Sequence, residues 1–151
     1  MDFIKKIESR TATIGILGLG YVGIPLAIRI AEVGFKVIGF DVLQDRVNGL
    51  NKGESPIKHI PHTDITTMVD TGFAATTDFA RAADCDALII CVPTPLDKTR
   101  EPDLSFVTST MDMIAPYLRK DQLLALESTT WPGTTSAVSY THLTLPTILL
   151  V

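Results

Sequence analysis

Apolar and polar positions alternate along this chain with two different periods. Ile14 to Leu17 is a short unbroken apolar run, the length of a buried strand and too short for a helix. Beyond three closely spaced glycines, Val22, Leu26, Ile30 and Val33 recur at helical spacing, and Gly34 is placed to cap the helix at its C-terminus. Val37 to Phe40 reads as a second buried strand. Leu43, Val47 and Leu50 predict a second helix stopped by Gly53, and Ile65, Met68 and Val69 a short one over 64–71. Phe73 to Ala75 is a short third strand, followed by a brief helix capped by Thr77 or Asp78 and ending near Ala83. Ala87 to Val92 is apolar throughout, as expected of a central parallel strand covered on both faces. Phe106, Val107, Met113, Ile114 and Leu118 predict a helix capped by Asp103 or Ser105 and kinked or stopped by Pro116. Gln122 to Glu127 follows as a fifth strand. Met1 to Arg10 is a mixed-charge lead-in, one frayed helical turn at best. Strands alternating with helices predict an α/β fold, a doubly wound parallel sheet.

The glycines between the first strand and its helix, Gly18, Gly20 and Gly23, are spaced G-x-G-x-x-G. In a strand–turn–helix context the first allows a tight turn, the second lets a pyrophosphate approach the backbone, and the third packs helix on strand. The helix N-terminus then offers unpaired N–H groups and a partial positive charge to phosphates. Asp41 ends the second strand 23 residues after Gly18, where a carboxylate meets an adenosine ribose. A carboxylate there repels a 2′-phosphate, so NAD is expected over NADP, in a Rossmann-type sheet. Arg46, five residues further, reads either as a group over the adenine or ribose edge or as a solvated surface arginine.

At 151 residues the chain has room for one domain with a real core, and too little for a dinucleotide domain plus a full catalytic domain. A formal charge of −4 argues against nucleic-acid or anionic-membrane partners. Cys85 and Cys91 form no C-x-x-C pair and read as buried free thiols in a reducing compartment. No signal peptide or membrane-length run is present, so a cytoplasmic protein is expected. His59 and His62, three apart in the Pro-punctuated loop 54–63, lack a nearby third ligand, and no metal site is expected. Pro93-Thr94-Pro95-Leu96 makes a stiff turn at a strand's carboxyl end, where ligands sit in open α/β sheets, and Thr94 becomes a candidate contact. Ser128 to Thr135 is a second polar turn at such an end.

The motifs GLGYVGIPLA (18–27), GFD with Arg46 downstream, CVPTPL (91–96), PDLS (102–105) and ESTTWPGTT (127–135) together resemble the UDP-glucose/GDP-mannose dehydrogenase family. GESPIKHIP and Glu127-Ser128-Thr129 are closer to its UDP-N-acetylglucosamine 6-dehydrogenase branch; the UDP-glucose branch more usually has lysine where Glu127 stands. The resemblance implies NAD-dependent oxidation of a sugar-nucleotide C6 alcohol to a carboxylate in two steps, with NAD and a UDP-sugar as partners and homo-oligomeric full-length relatives. By motif, Gly18, Gly20, Tyr21, Val22, Gly23, Asp41, Arg46, Thr94 and Thr129 match cofactor-contacting positions. Thr129 also matches a catalytic hydroxyl that helps hold a water near the reacting carbon. The family's later cysteine, lysine and asparagine have no counterpart here, and neither Cys85 nor Cys91 takes that nucleophile's place.

The resemblance covers about residues 12–135, giving an NAD-binding Rossmann domain over 1–135 as the N-terminal part of a longer dehydrogenase. Residues 136–151 read as a non-native tail: VSYTHLTLPT (138–147) is neither helical nor usefully amphipathic and looks like a translated sequencing adaptor. On that reading the sheet is truncated before its last strand, and its bare apolar edge makes the protein poorly soluble. Two other functions share the first half of the chain. One is another NAD-dependent dehydrogenase, including the UDP-glucose enzyme; the other is a stand-alone NAD-binding module without catalysis.

Overall fold

Two glycine-punctuated apolar runs set the centre of the molecule. A computed structural model describes residues 2–128 and 148–150. Strand β1 (Thr13–Leu17) lies between β2 (Lys36–Phe40) and β4 (Ala87–Ile90), all parallel. In register, Ile14 faces Val37 on one side and Ala87 on the other. Strand β3 (Ala74–Thr76) pairs with the outer edge of β2, and β5 (Leu123–Leu126) with that of β4. The order β3-β2-β1-β4-β5-β6 reverses direction at β1, the switch point of a Rossmann-type sheet.

Period-two alternation divides the core into two layers. Ile14, Ile16 and Val37 pack on one face with Ile24, Ala27 and Ala31 of α2 (Gly23–Glu32) and Ile65 and Met68 of α4 (His62–Asp70). Leu17, Ile38, Phe40, Leu88 and Ile90 pack on the other with Val107, Met111 and Ile114 of α5 (Ser105–Ile114). Ile16 and Leu88 are fully buried, and each such side chain contributes about 1.5–3 kcal/mol. Helix α2 ends as its sequence predicts. Gly34 adopts φ +95° and donates to Ala31 O, and Phe35 N reaches back to Ile30 O. Helix α3 (Gln44–Asn51) stops before Gly53, which has φ +82°.

Several boundaries differ from expectation. The N-terminal lead-in is a six-residue helix, α1 (Phe3–Glu8), capped by the Asp2 carboxylate and tied to the sheet by Lys6. Helix α4 starts at His62 rather than Asp64, because Pro61 stands just ahead of the first turn, where its missing N–H costs nothing. Strand β4 ends at Ile90, although Cys91 N still donates to Leu17 O at 2.7 Å. Beside β5, where a bare edge was expected, β6 (Ile148–Leu150) pairs in parallel over three residues, Leu123 facing Ile148. Thr129 and the stretch 136–147 lie outside the described residues. Among the described residues no helix is long and apolar enough to cross a membrane.

A buried carboxylate closes the end of the sheet opposite the strands' carboxyl termini. Asp86, with its side chain 9% exposed, accepts from Lys6 Nζ at 2.6 Å, Arg119 Nη2 at 3.0 Å and Thr13 N at 3.0 Å. Burial opposes its charge, but hydrogen bonds from Lys6, Thr13 and Arg119 outweigh it and hold the carboxyl below its ordinary value. A carboxyl depressed in the folded state contributes stability above its unfolded pKa and loses it as pH falls through the folded value. Asp86→Asn is therefore expected to cost about 2 kcal/mol at neutral pH, discounted for partners that are themselves part-exposed. The gap to wild type should close below about pH 4. Urea unfolding from pH 7 to pH 2 checks this; a gap independent of pH would count against the ion cluster.

Candidate functional site

The carboxyl ends of β1, β2, β4 and β5 open into one cavity of about 620 Å³, within the usual ~300–1,000 Å³ range of ligand sites. The turn after β1 contributes Gly18 to Val22, the end of β2 Phe40 to Leu43, the end of β4 Cys91 to Thr94, and the end of β5 Glu127 and Ser128. Helix α5 adds Phe106, Ser109, Thr110 and Met113, and α3 adds Arg46.

The three glycines of the turn do different things. Gly18 has φ +97°, a conformation L side chains rarely adopt, and a Cβ there would lie 3.0 Å from Cys91 C and Val92 N. A Cβ on Gly23 would lie 1.8 Å from Gly18 O, so the first turn of α2 can pack on the strand end only with glycine. Gly20 is the opposite case, since a Cβ there would meet nothing within 4 Å. The fold does not require glycine at 20; the space over it is left for something else. Ile24 N donates to Gly20 O and Leu26 N to Val22 O, so the N–H groups of Val22 and Gly23 precede the helix's first bonds. Tyr21 is 76% exposed and stacks on His59, with centroids 6.0 Å apart. His62 is separately occupied, its Nδ1 accepting from Ser55 N at 2.8 Å.

Asp41 joins three segments. Its Oδ2 accepts from Leu19 N at 3.0 Å and from Arg46 Nη1 at 3.2 Å, and its Oδ1 from Leu43 N at 3.0 Å. The carboxylate is buried at 6% exposure and braces the glycine turn against the β2 end. Arg46 thus lies against Asp41 rather than free in solvent. An ionised carboxylate has roughly four acceptor positions, so three donors leave room for one more. Arg46 is the only cation lining the cavity among the described residues. Phosphates lying here would depend on backbone N–H groups and the α2 N-terminus rather than on lysines.

Thr94 lines the cavity between Pro93 and Pro95. The segment after it folds back as a small loop: Leu96 bridges Pro102, Asp97 Oδ1 accepts from Thr99 and Glu101, and Asp103 N donates to Pro95 O at 2.7 Å. What reads as a polar connector in the sequence therefore anchors the Pro-Thr-Pro turn. Ser128 Oγ donates to Val92 O at 2.7 Å and joins the β5 end to the β4 end. Neither cysteine is a nucleophile in this environment. Burial, then the Asp84 charge, push the Cys85 thiol up to about 12; burial, then Glu127, push Cys91 up to about 11.

Of the residues expected from sequence, Gly18, Gly20, Tyr21, Val22, Asp41, Arg46 and Thr94 line this one cavity, while Gly23 is not in its lining and packs against Gly18. Thr129 is outside the described residues. Sequence reasoning missed the α5 face, although Phe106, Ser109, Thr110 and Met113 stand at the i, i+3, i+4, i+7 spacing of one helix stripe. Mixed polarity hid that stripe among residues read as core.

The family model for the UDP-glucose/GDP-mannose dehydrogenase family, NAD binding domain, matches residues 12–145. UDP-N-acetyl-D-mannosamine dehydrogenase of Escherichia coli (strain K12) is 40% identical over 132 residues, covering 85% of this chain and 30% of that protein. NDP-N-acetyl-D-galactosaminuronic acid dehydrogenase of Ralstonia nicotianae is 37% identical over 143 residues, 92% of this chain and 32% of the relative. Among solved structures, a ternary complex of GDP-mannose dehydrogenase from Pseudomonas aeruginosa superposes with a TM-score of 0.81 at 29% identity, covering 90% of this chain and 34% of that one. The chain thus spans about a third of the length of such relatives. It belongs to the UDP-glucose/GDP-mannose dehydrogenase family, carries that family's NAD-binding domain, and has NAD as its cofactor.

Proposed function

We propose that residues 1–135 are the cofactor-binding part of a UDP-N-acetylhexosamine 6-dehydrogenase, which oxidises the sugar C6 alcohol to a carboxylate. The balance requires two steps, each removing a hydride and a proton, with water supplying the second carboxylate oxygen. NAD, when bound, accepts the hydride in each step, so two are consumed per sugar. The motifs alone favoured the N-acetylglucosamine substrate. The two sequence relatives named above bear N-acetylmannosamine and N-acetylgalactosaminuronic acid in their names, so the N-acetylhexosamine class is kept and the manno sugar preferred within it. On this reading the reaction as a whole depends on segments beyond this chain, which alone is inactive, and so does assembly into a homo-oligomer. A reducing cytoplasm suits the two free cysteines.

The residue roles are those the motifs imply, and the lining of the cavity is compatible with them for Gly18, Gly20, Tyr21, Val22, Asp41, Arg46 and Thr94. The Gly18–Gly23 turn, with Tyr21 and Val22, brings its backbone against the pyrophosphate, and Asp41 accepts from the adenosine ribose with its remaining acceptor position. Arg46 orients Asp41 beside the adenine, while Thr94 and Thr129 serve the nicotinamide half. Thr129 also holds a water near the reacting carbon, a task suited to a group that both donates and accepts. The observation that supports the cofactor part of this reading is the open space over Gly20, flanked by a helix N-terminus and a braced carboxylate.

Calorimetric titration of the purified chain with NAD and NADP tests the cofactor roles. NAD is expected to bind at least about a hundredfold more tightly, some 2.7 kcal/mol. Equal or tighter NADP binding would overturn the role given to Asp41. Joining residues 1–135 to the remaining two-thirds of the Escherichia coli relative and assaying UDP-N-acetylmannosamine should yield two NADH per sugar. A folded chimera that makes no NADH would overturn the role of residues 1–135 as the cofactor half of such an enzyme.

A further inference from the structure

The two ends of the cavity differ in charge. At the β2 end, Asp41 is paired with Arg46. At the β5 end, Glu127 is exposed to the cavity and takes part in none of the ion pairs among the described residues. The backbone that carries it is nonetheless fixed. Glu127 N donates to Ile90 O at 2.8 Å, and the next residue, Ser128, is bonded through its hydroxyl to Val92 O. The carboxylate therefore sits on a framed strand end, close enough to the β4 terminus for its charge to be felt at Cys91.

Strand order determines which part of the cofactor meets this charge. A dinucleotide with its adenosine ribose at Asp41 and its pyrophosphate over Gly20 runs from β2 across β1. Its second nucleoside then lies at the ends of β4 and β5, beside Thr94 and Glu127. The nicotinamide ring is cationic when oxidised and neutral when reduced, whereas the pyrophosphate is common to both forms. Repulsion between Glu127 and the phosphates cancels when the two forms are compared, and attraction to the ring does not. Only such a difference can bias one state over the other.

We infer that Glu127 is a specificity-determining residue that makes this site favour NAD over NADH by placing a carboxylate beside the nicotinamide. The inference rests on the cofactor orientation given above. A single exposed charge acting over several ångströms in a water-filled cavity changes the ratio of affinities by a factor of about three to ten. For an enzyme that reduces two NAD in succession, weaker retention of NADH aids its exchange before the second step, where product release often limits turnover.

The test is direct titration of the whole chain with NAD and, separately, with NADH, for wild type, Glu127→Gln and Glu127→Lys at low salt and at 1 M salt. Glu127 is exposed, so both variants should retain the wild-type thermal transition. The NAD preference is expected to fall about three- to tenfold in the glutamine variant and further in the lysine variant, with the differences shrinking at high salt. Equal changes for NAD and NADH, or no change in either, would overturn the inference while leaving the cofactor site in place. Folded wild-type protein that binds neither form would overturn the orientation and the inference together.

Discussion

Gly23→Ala is expected to destabilise the protein by more than about 3 kcal/mol and abolish NAD binding, whereas Gly20→Ala should change stability by less than about 0.5 kcal/mol and still weaken NAD at least about tenfold. The two glycines stand three residues apart in one motif, and the difference lies in what surrounds them. A methyl at 23 would sit 1.8 Å from Gly18 O, a backbone atom that no side-chain rotation can move away. Relief requires α2 to shift from the strand end, which disturbs Ile24 and Ala27 in the core and the turn above them. A methyl at 20 meets no protein atom within 4 Å and intrudes only on the space assigned to the pyrophosphate. Thermal unfolding and calorimetric titration of the two variants separate these effects. A Gly20→Ala protein with wild-type affinity would show that the phosphates do not cross this turn.

How much of this was legible in the sequence depends on the range of the interaction. Strands β1, β2 and β4 and helix α2 follow from local pattern, because a buried parallel strand must be apolar throughout and a helix resting on it must repeat every 3.6 residues. Asp41 was placed by spacing alone, yet its bonds to Leu19 N and Leu43 N were not visible, since they join residues 22 and 2 positions away in different segments. Asp86 is a clearer case. Lys6 and Arg119, 80 and 33 positions distant, converge on it only after the sheet has formed. The start of α4 was misplaced because Pro61 was weighed as a helix breaker, when a proline just ahead of the first turn is tolerated. The α5 stripe was missed because Phe106 and Met113 suit a core as well as a cavity wall. Only the neighbouring strand ends reveal which one they line.

Asp41→Ala is expected to weaken NAD by about ten- to a hundredfold, to lower stability by about 2–4 kcal/mol, and to raise NADP affinity relative to NAD. The first effect is loss of a charged acceptor for the ribose hydroxyls. The second arises chiefly because the buried Leu19 N–H loses its acceptor, an unmet buried donor costing about 1–3 kcal/mol, with a smaller loss at the half-exposed Leu43 N–H. The third comes from Arg46. In the wild-type protein its guanidinium is held on Asp41 Oδ2 at 3.2 Å, and any 2′-phosphate must approach past that carboxylate. Without Asp41, Arg46 becomes an uncompensated cation beside the ribose site, with a planar donor fork suited to phosphate. The combined Asp41→Ala, Arg46→Ala variant should therefore lose the NADP gain while keeping the weakened NAD binding. Arg46→Ala alone should leave NAD preferred, because the repelling carboxylate remains. Titration of the three variants with both dinucleotides gives the coupling between the two positions directly. If the double variant keeps the NADP gain, Arg46 does not reach the 2′ position. Cofactor choice would then rest on the Asp41 charge alone, with the arginine serving only to orient it.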